Sequence, residues 1–127
     1  MTRVAIIGCG LIGNKRARAL GAGRLVAVAD SDPARARQLA AQFPGCAAGA
    51  DWREVVRRDD VDLVVVATTN VALAPVTRVA VGQGKHVLVE KPAARSAAEL
   101  APLVDLARTA GVLVKVGFNH RFHPAFQ

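Results

Sequence analysis

Tyrosine is absent from this chain, and the other aromatics amount to one tryptophan and four phenylalanines. A surface that stacks nucleic-acid bases needs aromatic faces, so that platform is missing. Acidic residues are also scarce: 10 against 17 basic ones, for a net charge of +7. That balance raises nucleic acid as a partner. Yet 13 of the basic residues are arginines scattered over most of the expected helices, not gathered in a stripe. Solvated helix faces account for them, and no nucleic-acid partner is expected. Only two cysteines occur, Cys9 and Cys46, at a spacing that fits no zinc or redox motif. They read as small buried hydrophobes, and no metal is expected. No apolar run approaches the roughly 20 residues that span a bilayer. The glycines that follow Val4–Ile7 cut the first apolar stretch too short for a signal peptide. The expectation is a soluble, cytoplasmic chain without a membrane partner. What remains is 127 residues, 52% hydrophobic and 21% charged, which suits one domain with a real core and excludes a disordered chain.

The pattern along that domain alternates. VAII (4–7) reads as a short apolar strand. A helix over 11–21 follows, with Gly21 and Gly23 to end it. LVAVAD (25–30) is a second strand, and Asp32-Pro33 supplies an N-cap and a first-turn proline for a helix to about 42. Residues 46–49 suggest a third strand; Asp51 and Glu54 have capping-box spacing for a helix to about 58. DLVVVAT (62–68) is a β-branched run of the kind buried on both faces of a sheet. A helix over about 72–82, a strand over 86–90, a helix opened by Ser96 and Glu99 and closed by Gly111, and a strand over 113–117 complete the series. Continuous apolar strands joined by helices predict an α/β fold: a doubly wound parallel sheet of about six strands.

Gly8-Cys9-Gly10-Leu11-Ile12-Gly13 is a Gly-x-Gly-x-x-Gly string between the first strand and the first helix. In that context Gly8 permits a tight turn, Gly10 lets a pyrophosphate approach the backbone, and Gly13 allows close helix–strand packing. The helix N-terminus at Leu11 and Ile12 offers N–H groups and a positive dipole end to phosphates. Cys9 reads as a spacer. Asp30 ends the second strand, 22 residues after Gly8, where a carboxylate bonds the adenosine ribose hydroxyls. A carboxylate there repels a 2′-phosphate, so NAD is favoured over NADP; Arg35 and Arg37 just beyond keep NADP open.

GCGLIG, VAVADSDPARA, VVVATTN, GKHVLVEKPAA and VGFNHRFHPAF, in that order over essentially all of the chain, resemble the N-terminal domain of the Gfo/Idh/MocA family of oxidoreductases. Glu90-Lys91-Pro92, with Gly84-Lys85-His86 before it, is the specific part of the resemblance. It implies a Rossmann domain over 1–117, with 118–127 opening the junction to the family's C-terminal α/β domain, which is expected to be missing from this chain. It also implies hydride transfer between nicotinamide and a secondary alcohol of a sugar or cyclitol. Lys91 is the implied catalytic residue, donating to the substrate oxygen; Glu90 orients that lysine or the nicotinamide ribose. Thr68, Thr69 and Asn70 match a segment that lines the cofactor, with Thr69 where the family has proline and Leu73 where it often has histidine. Asn119 and Arg121 match an Asn-x-Arg near the nicotinamide. His86 reads as structural and Trp52 as packing. In many relatives a histidine of the second domain partners the lysine, so this chain alone is expected to be inactive. The alternative is a non-catalytic dinucleotide-binding module, with an apolar junction at Phe118, Phe122 and Phe126 favouring association into an oligomer.

Overall fold

A computed structural model of the chain describes residues 1–21, 23–118 and 124–126. Strand β1 (Arg3–Ile7) leads into helix α1 (Leu11–Arg18), then β2 (Arg24–Ala29), α2 (Pro33–Ala40), β3 (Ala47–Gly49) and α3 (Trp52–Val56). The second half repeats the theme with β4 (Leu63–Val66), α4 (Asn70–Gly82), β5 (His86–Glu90), α5 (Ala97–Ala110) and β6 (Val114–Gly117), and Pro124–Phe126 form a 3-10 turn. All pairings are parallel, in the order β3-β2-β1-β4-β5-β6. This is the doubly wound order of two mononucleotide-binding halves, with its switch point between β1 and β4.

Strand alternation sorts the apolar residues into two cores. Val4 and Ile6 of β1 and Val65 of β4 face one way, against Ala17 of α1 and Ala36 and Leu39 of α2. Ala5, Ile7, Val64 and Val66 face the other way, against Val55 and Val56 of α3 and Leu73, Val76 and Ala80 of α4. Every one of these is under one-tenth exposed. Two-sided burial is why the central strands read as continuous valine and isoleucine runs. The sheet is pinned at its N-terminal edge by Arg3: its backbone N–H and its guanidinium both donate to the Asp62 carboxylate, at 2.8–3.0 Å. Lys85 has a structural task, donating from Nζ to the carbonyls of Arg58 and Val61 at 2.7 and 2.8 Å. His86 Nδ1 accepts the Leu113 N–H at 3.0 Å, so it serves the entry to β6, as a structural histidine should.

Element edges differ from the sequence expectation where local signals compete. Helix α1 stops at Arg18 with Ala19 as its C-cap, before the glycines expected to end it. Asp51 caps α3 through the Arg53 N–H, in place of the Glu54 contact that a capping box requires. Helix α4 starts two residues earlier than expected and runs through Pro75. The proline leaves the Val71 carbonyl without its helical donor, and both residues are exposed to water. The Ser96 cap and the left-handed Gly111 that closes α5 (φ 68°) are as expected.

Candidate functional site

The chain turns sharply after β1. Gly8 sits at φ 99° and donates its N–H to the Ala29 carbonyl at 2.8 Å. A Cβ at Gly8 would lie 2.4 Å from the Ala67 carbonyl oxygen, so a side chain is excluded by strain and by space. Gly10 is the N-cap of α1 at φ −80°, a conformation open to any residue. A Cβ there would meet nothing within 4 Å; what this glycine supplies is open room beside the backbone. Gly13 packs α1 onto the loop so closely that a Cβ would lie 1.9 Å from the Gly8 carbonyl oxygen. The three glycines thus do three different things: Gly8 makes the turn, Gly10 leaves open room, and Gly13 closes α1 onto the loop.

Helices α2, α3 and α5 each begin under a side chain, from Asp32, Asp51 and Ser96. Helices α1 and α4 begin without one. These two start at the ends of β1 and β4, on either side of the switch point. Neither has an acidic residue in its first turn, so the N–H groups and positive dipole ends there are available to an anion. Leu11 and Ile12, in the first turn of α1, are exposed. Asn14 braces the loop from behind: its Nδ2 donates to the carbonyls of Cys9 and Gly10 at 3.0 and 2.8 Å.

Asp30 stands one residue beyond β2, half-buried. One carboxylate oxygen accepts the Cys9 N–H at 2.7 Å and the other accepts the Asp32 N–H, also at 2.7 Å. The acid therefore ties the glycine loop to the β2–α2 turn. Each oxygen keeps a lone pair for a further donor. A cleft of about 630 Å³ opens beside it, and Gly8, Gly10, Leu11, Ile12, Asp30, Thr68 and Thr69 all line it. Gly13 lies buried beneath. Arg35 also lines the cleft, 3.8 Å from Asp32, whereas Arg37 is absent from its lining. The far wall carries Trp52 and Arg53, with the guanidinium 4.5 Å from the indole centroid. Trp52 packs on the core, as its sequence position suggests, and also presents itself to this cleft. Its wall was not legible beforehand, because only the fold of β3 and α3 brings it round.

The remaining candidates sit on the other half of the sheet. Thr68 Oγ1 donates to the Thr69 carbonyl at 3.2 Å, and Thr69 is the N-cap of α4, with Asn70 its first residue. Glu90 ends β5 and its carboxylate is engaged by Arg16 Nε of α1. Lys91 follows, exposed, in the turn before Pro92, and the Lys91–Pro92 peptide is cis. Asn70, Glu90 and Lys91 lie outside the lining of the 630 Å³ cleft. Asn119 and Arg121 lie outside the described residues, as does Phe122; Phe118 is exposed. Arg16 was missed in the sequence because its partner is 74 residues away. Both thiols are held in the neutral form. Burial, then the Asp30 charge, pushes Cys9 up to about 12; burial pushes Cys46 up to about 11. Cys9 Sγ donates to the Ala29 carbonyl at 3.4 Å. Among the described residues no group of three His, Cys, Asp or Glu side chains is placed to hold a metal, and no helix is long and apolar enough to cross a membrane.

Comparison with known proteins agrees with the fold. The sequence model of the "Oxidoreductase family, NAD-binding Rossmann fold" (GFO_IDH_MocA) matches residues 2–118. Inositol 2-dehydrogenase 4 of Saccharopolyspora erythraea is 37% identical over 98% of this chain and 38% of its own length. Among solved structures, GenD2 from gentamicin A biosynthesis in complex with NAD superposes with a TM-score of 0.91 at 32% identity, over 97% of this chain and 36% of that one. Levoglucosan dehydrogenase in complex with NADH and L-sorbose gives 0.89 at 28% identity, over 99% and 36%. The chain therefore spans a little over a third of the length of these relatives.

Proposed function

The chain belongs to the Gfo/Idh/MocA oxidoreductase family, and on that premise we propose that its cleft holds the adenosine and pyrophosphate of NAD while Lys91 serves the reacting end. The observation that carries the proposal is the convergence of two uncapped helix N-termini on a cleft beside Gly10, where no side chain stands in the way. Those N–H groups suit a pyrophosphate. Asp30, already fixed by two backbone N–H bonds, accepts the ribose hydroxyls with its remaining lone pairs. NAD is preferred, since the same carboxylate faces a 2′-phosphate; Arg35 is the residue on this cleft through which NADP would be accepted. Thr68, Thr69 and Asn70 line the passage to the second half. Glu90, Lys91, Asn119 and Arg121 serve the nicotinamide side.

Bound NAD supplies the hydride acceptor. The protein's share is orientation and the proton. Lys91, exposed at the carboxyl end of β5, donates a hydrogen bond to the substrate oxygen at which the carbonyl develops, and so eases the loss of the hydroxyl proton to solvent as the hydride leaves. The substrate is a secondary alcohol of a sugar or cyclitol, which the inositol and levoglucosan dehydrogenases among the relatives support. Residues 1–117 form the dinucleotide unit and 118–127 the approach to a substrate domain; β6 ends at Gly117, in line with that boundary. A cytoplasmic location fits the two free thiols and the cofactor.

Parallel calorimetric titrations with NADH and NADPH, at one salt concentration, test the cofactor part. Tighter NADH binding is expected. Tighter NADPH binding overturns the Asp30 assignment and points to Arg35. Absence of binding by either removes the proposal. Turnover is then assayed with NAD and a panel of sugars and cyclitols. Binding without turnover assigns this chain the cofactor half of the reaction alone.

A further inference from the structure

Glu90 and Lys91 are adjacent and oppositely charged, with Glu90 closing β5 and Lys91 in the turn that follows, off the strand's alternation. They do not meet. The Glu90 carboxylate is taken by Arg16, which reaches it from the second turn of α1. The two side chains are only 12% and 20% exposed, while Lys91 stays in solvent and makes no ion pair among the described residues. The slot for this pair is made by a third residue. Gly117 on β6 stands opposite Glu90 in the strand register. A Cβ there would lie 2.6 Å from an Arg16 terminal nitrogen and 3.1 and 3.2 Å from the two Glu90 oxygens. Gly117 has an ordinary backbone conformation, since its φ is not among the positive ones. The glycine is required for space.

We propose that Arg16 is a positioning residue for Lys91: by occupying the Glu90 carboxylate in the slot left by Gly117, it keeps the lysine ammonium from being captured by its own neighbour. The role of Lys91 at the substrate oxygen rests on the function proposed above; the competition for Glu90 does not. A half-buried, hydrogen-bonded guanidinium outcompetes an exposed ammonium for one carboxylate, because its planar fork is pre-organised and it is more weakly hydrated. Arg16 also sits on the helix whose N-terminus faces the cleft, so the pair ties the two halves of the crevice together. The chemistry needs both halves in register, and this bond spans them directly.

The test is the acetylation rate of Lys91 by acetic anhydride, read peptide by peptide by mass spectrometry on the folded chain. Arg16→Gln frees the Glu90 carboxylate, and Lys91 acetylation is expected to slow several-fold. Arg16→Gln with Glu90→Gln removes the competitor and restores the wild-type rate, and Arg16→Lys, which keeps the charge but loses the fork, falls between wild type and Arg16→Gln. A merely structural ion pair predicts the opposite for the double variant, which would then be no better than the single one. Unchanged Lys91 labelling in Arg16→Gln, or no recovery in the double variant, overturns the proposal. If Arg16→Gln does not fold, Gly117→Ala makes the same test, since its methyl displaces the guanidinium while all charges remain. NADH titration of the wild-type chain separates the two readings. If NADH fails to bind, the cofactor assignment fails, while the labelling result still decides the role of Arg16.

Discussion

Replacing Gly10 and Gly13 by alanine, one at a time, separates a glycine needed for a ligand from a glycine needed for the fold. At Gly13 the new methyl would stand 1.9 Å from the Gly8 carbonyl oxygen, more than 1 Å inside the closest approach that real Cβ atoms show. The obstacle is backbone on both sides, so α1 must retract from the loop. Overpacking of this kind costs about 3 kcal/mol. For a domain of this size that lowers the thermal midpoint by roughly 10 °C. At Gly10 the methyl meets nothing within 4 Å, and φ −80° suits alanine. The fold should lose no more than about 1 kcal/mol, the difference between glycine and alanine at an N-cap. The ligand should lose far more, because the methyl occupies the room through which a pyrophosphate reaches the helix N–H groups. Losing one charge-assisted hydrogen bond, at about 1.5–3 kcal/mol, weakens binding by roughly ten- to a hundredfold. Two assays read this: thermal unfolding followed by circular dichroism, and calorimetric titration with NADH. The unfolding scan doubles as a binding assay, since NADH at a hundred times its Kd adds about 2.7 kcal/mol to the wild type. Tenfold weaker binding halves that gain to about 1.4 kcal/mol. A Gly10→Ala chain that binds NADH within threefold of wild type refutes the placement of the pyrophosphate; a Gly13→Ala chain of unchanged stability refutes the packing argument.

Three further outcomes are expected. Lys91→Ala should leave the NADH affinity within about threefold and reduce hydride transfer at least a hundredfold in any assembly that turns over sugar alcohols, read by NADH absorbance. The thiols Cys9 and Cys46 should react slowly with a disulfide reagent at pH 8 and quickly once the chain is unfolded, because burial holds Cys9 at about 12 and Cys46 at about 11. Their folded values lie above the unfolded one, so stability is full below about pH 9 and falls as the pH climbs toward 12, by at most about 1.4 kcal/mol per unit for each thiol; Cys9→Ala should flatten part of that alkaline slope in denaturant titrations. Gly111→Ala, at φ 68°, should cost about 1 kcal/mol of stability and leave NADH binding untouched.

The strands were legible because burial on both faces demands unbroken β-branched runs, as in Leu63–Val66, and because the helices between them carry their own caps at Asp32, Asp51 and Ser96. The glycine loop and Asp30 were legible because each works within a few residues of its neighbours and at a fixed distance along one β-α-β unit. What stayed hidden depends on contacts between distant segments. Nothing near Arg16 announces Glu90, nothing near Gly117 announces either, and Trp52 reaches the cleft only after β3 and α3 have folded. The edges of α1 and α4 were misjudged for a different reason. The glycines at 21 and 23 drew the expected end of α1 too far, since it closes on Ala19, and no cap at Thr69 announces that α4 opens at Asn70, two residues before the expected start.

The double engagement of Asp30 has a bearing on how cofactor preference can change. The carboxylate that discriminates against a 2′-phosphate is the same one that secures the Cys9 N–H and the Asp32 N–H. Removing it to welcome NADP would strip two backbone donors of their acceptor and loosen the glycine loop that both cofactors require. The obvious single-step switch is therefore penalised on stability before it gains anything in recognition. A lineage, or an engineer, that wants the phosphorylated cofactor has an easier route with the acid retained. That route adds cationic reach from the side of Ser31 and Arg35, which already face the cleft, so that specificity drifts by addition while the turn stays intact.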